Sequence, residues 1–158
     1  MFAKEVLLLC CLLVLPAVVF GVDCRTRPCL RTLFNSRVTR ADYYSRQLLG
    51  SFGSSGKRKR SLSRLHHGIV VTLANSVLGQ DRWLIHRGSW STGTNPDTVI
   101  TDADYMSSEW VRDRRPKYLS CFKTVNGFLR AGGIADNYNL FTHNCIHAAR
   151  AMWNFASC

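Results

Sequence analysis

The chain has 158 residues, which is enough for one domain of ordinary size and too few for two well-buried cores. Its formal net charge of +11 is uneven, because residues 22–65 carry nine more basic than acidic side chains and residues 66–158 carry only two more. The basic part is therefore either a solvated leader or a segment that attracts an anionic surface such as lipid or acidic glycan.

The first 21 residues predict a secretory signal peptide. Lys4 precedes an almost wholly apolar run over residues 6–20, and a small residue follows at Gly21. A run of about 15 residues is short for a membrane span, which needs about 20, so an uncleaved anchor is the weaker alternative. We therefore expect residues 1–21 to be removed, and we expect a secreted protein without a transmembrane span.

The expected compartment determines how the cysteines are interpreted, because an oxidising environment favours disulfides. Two of the seven cysteines leave with the signal peptide, and the five that remain are an odd number, so at least one is free or pairs between chains. Cys24 and Cys29 could close a short loop, and Cys121 and Cys158 could staple the C-terminal end. That pairing would leave Cys145 unpaired.

Residues 22–60 predict a basic leader or propeptide rather than a core. Apolar residues have no sustained period here, although Tyr43 and Tyr44 fall where one turn of amphipathic helix could form. Residues 50–56 are rich in glycine and serine and predict a flexible linker. A run of four basic residues follows and ends at Arg60, which resembles a proprotein-convertase site in an exposed segment. A loop that is never cut and a precursor of a basic peptide are the alternatives.

Residues 61–158 predict one folded domain of the α+β class, with a small antiparallel sheet and helices packed on one side. Runs of β-branched and apolar residues indicate strands, glycine and asparagine indicate the turns between them, and apolar residues at helical spacing indicate helices. The predicted strands cover residues 67–73, 82–86 and 98–101, and the predicted helices cover residues 119–131 and 144–155.

Cys145 falls at the start of the last predicted helix, where Thr142 or Asn144 can act as the cap. Unpaired N–H groups and the positive end of the helix dipole favour a thiolate there, so we expect a lowered thiol pKa and a nucleophilic sulfur. The base must come from elsewhere. His66 begins one strand of the predicted hairpin and His86 ends the next, and an antiparallel pair brings those positions to the same edge.

Three short segments resemble a known family. Residues 66–71 resemble the His-x-Gly/Ala-Ile-x-Val strand of the lecithin–retinol acyltransferase-like proteins, and residues 83–86 are similar to their next strand, which ends in a second histidine. Residues 138–147 resemble their Tyr-x-Leu-x-x-x-Asn-Cys-x-His segment. The order, with the histidines before the cysteine, is that of the circularly permuted branch of the NlpC-type papain-like thiol enzymes.

This resemblance implies a circularly permuted papain-like fold in which Cys145 is the nucleophile, His66 is the general base and His86 orients His66. It also implies a thioester intermediate, followed by hydrolysis or acyl transfer, with an acyl lipid or a peptide as substrate. No cofactor and no metal are expected. The chain is therefore interpreted as a secreted thiol hydrolase or acyltransferase.

Two alternatives remain for this site. His66 and His67 are adjacent and point to opposite faces of a strand, so only one of them can face Cys145, and the motif register favours His66. If Cys145 is instead half of a disulfide, the chain is a non-catalytic secreted binding or defence protein on the same fold.

The aromatic and basic residues of the domain have structural explanations. We expect the tryptophans in the core or in a pocket wall rather than as stacking platforms, so nucleic acid is not expected as a partner; these are Trp83, Trp110 and Trp153. A basic cluster near Pro116 is expected to be a solvated face, with binding of a phosphate head group as the alternative; it comprises Arg112, Arg114, Arg115 and Lys117.

Overall fold

The computed structural model describes residues 23–47, 65–88, 98–133 and 144–158. The predicted signal peptide, the flexible linker and the processing site at Arg60 lie outside these ranges. Across the part of the chain that is described, no helix is long and apolar enough to cross a membrane.

The described residues form an α+β fold, as the sequence predicts. Three α-helices are present in these ranges: α1 (Arg27–Asn35), α2 (Val125–Ala131) and α3 (Cys145–Phe155). The strands are β1 (Val38–Gln47), β2 (Leu65–Val77), β3 (Gln80–Arg87), β4 (Thr98–Asp102), β5 (Val111–Arg112) and β6 (Lys117–Tyr118). They form one sheet in the order β4-β3-β2-β1-β5, in which β6 also pairs with β1, and every pairing is antiparallel.

The β2–β3 hairpin is present as predicted, but its loop is tighter than the sequence suggested. Val77 pairs with Gln80, so only Leu78 and Gly79 form the turn. Both have positive φ, at 53° and 83°, which is the backbone conformation that matches a two-residue turn to the twist of antiparallel strands. The hairpin therefore fixes His66 near the open end of β2, where β3 ends.

The segment interpreted as a leader contributes to the fold. β1 runs antiparallel to β2 over nearly its whole length, with Tyr43 opposite Ile69. Val38, Ala41 and Tyr43 are buried in the main core. Tyr43 and Tyr44 therefore lie in a strand and not in a helical turn.

Charged side chains explain why β1 is difficult to recognise in the sequence. Asp42 is only 2% exposed, yet it lies in the middle of the strand. Its carboxylate accepts hydrogen bonds from Arg40 at 2.7 Å and from Arg112 of β5 at 3.4 Å. A paired carboxylate can be buried where an unpaired one cannot, so β1 is a core strand without a clean apolar alternation.

The sheet has two buried faces with different coverings. On the helix face, which carries Ile69 and Val71, the helices pack against the strands; α3 contributes Ala148, Ala149 and Met152. The opposite face carries Val70 and Leu84, and it is covered by a 3₁₀ turn (Ala103–Tyr105) and the chain up to Trp110. Both faces of β2 are buried from Ile69 to Val71, and its sequence is continuously apolar there.

α2 is shorter than the sequence predicts, since it begins at Val125 rather than near residue 119. Thr124 is its N-cap and accepts from the N–H of Gly127. Before this cap the chain is extended along β1, and the N–H of Leu119 donates to the carbonyl of Thr39 at 2.9 Å. Backbone pairing with β1 therefore delays the start of the helix.

Candidate active site

Cys145 is the first residue of α3, the last helix of the fold. Asn144 is the N-cap, and its Oδ1 accepts from the N–H groups of Ile146 and His147 at 2.9 and 3.1 Å. This is the cap geometry that Asn favours at helix starts. The other described cysteines form the disulfides Cys24–Cys29 and Cys121–Cys158, and the Cys145 thiol is free and buried.

The Cys145 thiol lies between the start of α3 and the start of β2. Its Sγ donates to the carbonyl oxygen of Leu65 at 3.8 Å. Burial raises the pKa of the thiol above its ordinary value, and the N–H groups of His67, Ile146 and Cys145 itself oppose this effect without cancelling it. The expectation of a lowered pKa is therefore not met, because desolvation of the thiolate outweighs the helix N-terminus.

His67 lies on the helix face. Its ring packs edge-on against Tyr43 with centroids 5.6 Å apart, and Tyr43 packs in the same way against Trp153 of α3 at 5.8 Å. The ring makes no side-chain hydrogen bond within the described ranges, and its Nδ1 is buried. Strand alternation thus directs His67, and not His66, towards the helix that carries Cys145.

The charge state of His67 follows from its surroundings. Burial lowers the pKa of His67 below its ordinary value, and nearby Arg150 and Arg114 lower it further. Asp113 acts in the opposite direction. The imidazole is therefore neutral near pH 7, which is the form that can accept a proton.

His66 and His86 form a pair on the opposite face. Nε2 of His66 and Nδ1 of His86 are 3.0 Å apart, and the rings meet at nearly a right angle. Trp110 lies against both rings, with centroids 5.5 Å from His66 and 6.1 Å from His86. The guanidinium of Arg46 stands 5.1 Å over Trp110. We refer to His66 and His86 as the histidine pair.

The histidine pair is kept neutral. Burial, aided by His86 and Arg46, lowers the pKa of His66 to about 3. Burial together with Arg46 lowers the pKa of His86 to about 4. A proton on either ring would add a second charge beside Arg46 in a region with little water, so protonation is disfavoured.

The structure thus brings together His66 and His86, as the hairpin register predicts, and it brings Cys145 to the backbone of His67. In the described ranges, the hydrogen bonds of the Cys145 thiol run to main-chain groups and not to either ring of the histidine pair. The catalytic roles expected for His66 and His86 remain predictions.

The sequence indicated His67 only as a possible shift of one residue, and it suggested a helical turn for Tyr43 rather than a position beside His67. The available signal was that Ile69, Val71 and Leu73 are apolar and odd-numbered, which places the odd-numbered His67 on the same face of β2. That signal is weak here because Val70 is apolar too.

Within the described ranges, no group of three or more His, Cys, Asp or Glu residues is arranged to hold a metal ion. Comparison of the chain with known protein families, with curated proteins and with solved structures finds no match.

Proposed function

We propose that the chain is a thiol hydrolase or acyltransferase that acts on an acyl ester or amide through a thioester at Cys145. The observation that carries the proposal is the free thiol at the capped start of α3, in a protein whose other described cysteines are all paired. A helix start supplies N–H donors around the sulfur, which is a common setting for a nucleophilic cysteine.

We further propose that His67, rather than His66, is the general base. Three observations support this choice. The ring of His67 packs through Tyr43 onto α3, the main-chain N–H of His67 donates to the Cys145 sulfur, and the lowered pKa of His67 keeps its imidazole neutral at neutral pH. His66 already shares a hydrogen bond with His86 on the other face of the sheet.

The proposed reaction has two steps. The Cys145 thiol transfers its proton to His67 as the sulfur attacks the acyl carbon; a C–S bond forms, the ester C–O or amide C–N bond breaks, and the leaving group takes the proton from His67. Water or an acceptor hydroxyl then gives its proton to His67 and attacks the thioester. A C–O bond forms, the C–S bond breaks, and the sulfur takes the proton from His67, which releases the acyl product and restores the thiol. The main-chain N–H groups of Cys145 and His67 would donate to the oxyanion.

The proposal includes a secreted protein with a circularly permuted papain-like arrangement. Two features support it: the two disulfides, which are typical of oxidising compartments, and the α+β fold whose last helix begins at the cysteine. A thiol with a raised pKa fits a general-base mechanism, in which the proton leaves during the attack, better than a preformed thiolate–imidazolium pair.

The test is alkylation of the purified protein by iodoacetamide at neutral pH, followed by mass spectrometry, with His67→Ala and His66→Ala as matched variants. We expect selective labelling of Cys145. We expect His67→Ala to slow it by about tenfold, less than the 10²–10⁴-fold typical of general-base catalysis, because alkylation needs only the loss of the thiol proton. His66→Ala should retain a rate near that of the parent.

Two other outcomes would contradict the proposal. Slow labelling in His66→Ala alone would assign the base to His66 and reject His67. A Cys145 that is oxidised, or that labels no faster than a denatured thiol, would overturn the enzyme and favour a non-catalytic binding or defence protein.

A further inference from the structure

A polar groove lies between the C-terminal half of α1 and the end of β2, and we call it the α1–β2 groove. Its volume is about 430 Å³, within the range of about 300–1,000 Å³ that is typical of small-molecule sites. Val77 is its one apolar lining residue, and none of the residues that line it is acidic. Its polar lining includes Arg31, Thr32, Asn35, Ser36, Arg37 and Asn75.

Backbone hydrogen bonds hold the walls of the groove in place. The carbonyl of Arg37 accepts from the N–H of Ala74 at 2.9 Å, which joins the residue before β1 to the end of β2. The carbonyl of Ser36 accepts from the N–H of Val125 at 3.1 Å, which joins the end of α1 to the start of α2. A groove whose backbone is already fixed loses less conformational freedom when a ligand binds.

The α1–β2 groove carries two positive charges. Arg31 and Arg37 are exposed, and across the described ranges neither forms an ion pair. Both belong to residues 22–65, which hold nine more basic than acidic side chains. A guanidinium binds sulfate, carboxylate or phosphate through paired N–H···O bonds, so the groove favours an anionic ligand.

The hydroxyl groups of the groove favour a ligand that also donates hydrogen bonds. Oγ1 of Thr32 donates to the carbonyl of Pro28 at 3.1 Å, and Oγ of Ser36 donates to the carbonyl of Thr32 at 2.8 Å. Each hydroxyl has one proton, so both oxygens are left to accept from a ligand. Ser36 is also the C-cap of α1, where the negative end of the helix dipole disfavours a bare anion. The ligand should therefore carry donors beside its acidic groups.

We propose that the α1–β2 groove binds an acidic saccharide. Its sulfate or carboxylate groups bind Arg31 and Arg37, and its sugar hydroxyls donate to Thr32 and Ser36. The amide of Asn75 can both donate to and accept from the same sugar. An acidic saccharide combines anionic groups and hydroxyl donors at the short spacing that the groove offers.

This site is separate from the candidate active site and does not depend on thiol chemistry. The Cys145 sulfur contacts the carbonyl of Leu65 at the start of β2. Asn75 lies near the other end of that strand, roughly 30 Å away along the strand at about 3.3 Å per residue. A saccharide in the groove should therefore leave the alkylation rate of Cys145 unchanged.

The test is calorimetric titration of the intact protein with a sulfated tetrasaccharide of the heparin type at about 0.15 M salt. The double variant Arg31→Gln/Arg37→Gln should weaken binding by about five- to thirtyfold, the range for the loss of two partly screened charge pairs. The matched control Arg115→Gln/Arg130→Gln removes two exposed arginines outside the groove and should leave the affinity nearly unchanged. Thermal unfolding shows that each variant is folded.

Thr32→Val tests the hydroxyl acceptor, because it keeps the shape of the side chain and removes its oxygen. It should weaken binding of the tetrasaccharide by about two- to tenfold, the range for one hydrogen bond. Tripolyphosphate supplies negative charge without sugar hydroxyls, so its affinity should be the same for Thr32→Val and the parent.

Four outcomes would overturn the saccharide site. Equal weakening in the two double variants would mean that binding reports net charge alone. Tetrasaccharide binding that Thr32→Val leaves unchanged would reduce the groove to a simple anion site. Displacement of the tetrasaccharide by phosphatidylserine vesicles, which bind the parent but not Arg31→Gln/Arg37→Gln, would assign the groove to a lipid surface. Protection of Cys145 from iodoacetamide by the tetrasaccharide would place the ligand at the candidate active site.

Discussion

At the scale of single residues, the histidine pair illustrates how a buried face controls protonation. His66 is 5% exposed, and both rings lie under Trp110 beside the cation of Arg46. Their mutual hydrogen bond needs one ring to accept, and a doubly protonated imidazolium cannot accept. The hydrogen bond therefore needs at least one neutral ring, and burial beside Arg46 disfavours a positive charge on either ring.

A pH dependence of stability follows. The folded-state pKa values of His66 and His86, about 3 and 4, lie below the ordinary value of 6.5, so the unfolded chain binds these protons first. The stabilisation is complete above pH 6.5 and is lost as pH falls, down to about pH 4 for His86 and about pH 3 for His66, by at most about 1.4 kcal/mol per pH unit for each ring. Urea unfolding at about pH 7.5 and pH 5.5 measures this loss.

His66→Gln is the informative variant, because it keeps a neutral polar side chain and removes one titrating ring. It should be less stable than the parent at about pH 7.5 and should lose roughly 1 kcal/mol less on acidification to about pH 5.5. Equal losses in the parent and the variant would contradict a neutral histidine pair.

At the scale of elements, α3 is held at both ends, and this fixes where Cys145 lies. Asn144 caps the start, and near the end Lys123 donates to the carbonyl of Phe155. The disulfide Cys121–Cys158 ties the chain after α3 to the chain before α2. The helix therefore cannot shift along β2 without breaking the Asn144 cap, the Lys123 hydrogen bond or the disulfide.

Asn144→Ala tests the cap. Removing an Asn cap costs about 1 kcal/mol, and in a domain of this size such a loss lowers the melting temperature by roughly 3–6 °C. Asn154→Ala, at an exposed position inside α3, is the control and should be neutral or slightly stabilising, since Ala is the better helix former. Thermal unfolding by circular dichroism measures both, and equal melting temperatures for the two variants would mean that the cap contributes nothing.

At the scale of the whole molecule, β1 joins the N-terminal part of the chain to the rest. It lies between β2 on one side and the short strands β5 and β6 on the other. The disulfide Cys24–Cys29 lies wholly within the N-terminal part. Backbone pairing and the burial of Val38, Ala41 and Tyr43 therefore hold this part, and no disulfide among the described residues does.

A cut after Arg60, which the basic run predicts, should consequently not release residues 23–47. We expect the two pieces of convertase-treated protein to elute together in native size-exclusion chromatography and to separate in denaturant without a reductant. Uncut protein is the control. Separate elution under native conditions would mean that residues 22–60 are a removable leader.

Much of the fold was predictable from local patterns. The β-branched run of β2, the glycine-containing turn before β3 and the position of Asn144 before Cys145 each depend on neighbouring residues alone. β1 was not predictable in this way, because the burial of Asp42 depends on Arg112, which is 70 residues away. The choice between His66 and His67 was ambiguous because β2 is apolar on both faces.

By itself, the sequence determined an odd cysteine at a capped helix start and two histidines at one end of a hairpin, because helix caps and strand pairing are local and periodic. Only the tertiary structure decided that His67 shares the face of α3 and that burial raises the pKa of the Cys145 thiol. Both depend on what packs around a residue: a strand has the same alternation whichever side a helix covers, and the loss of water around a thiol comes from segments distant in sequence.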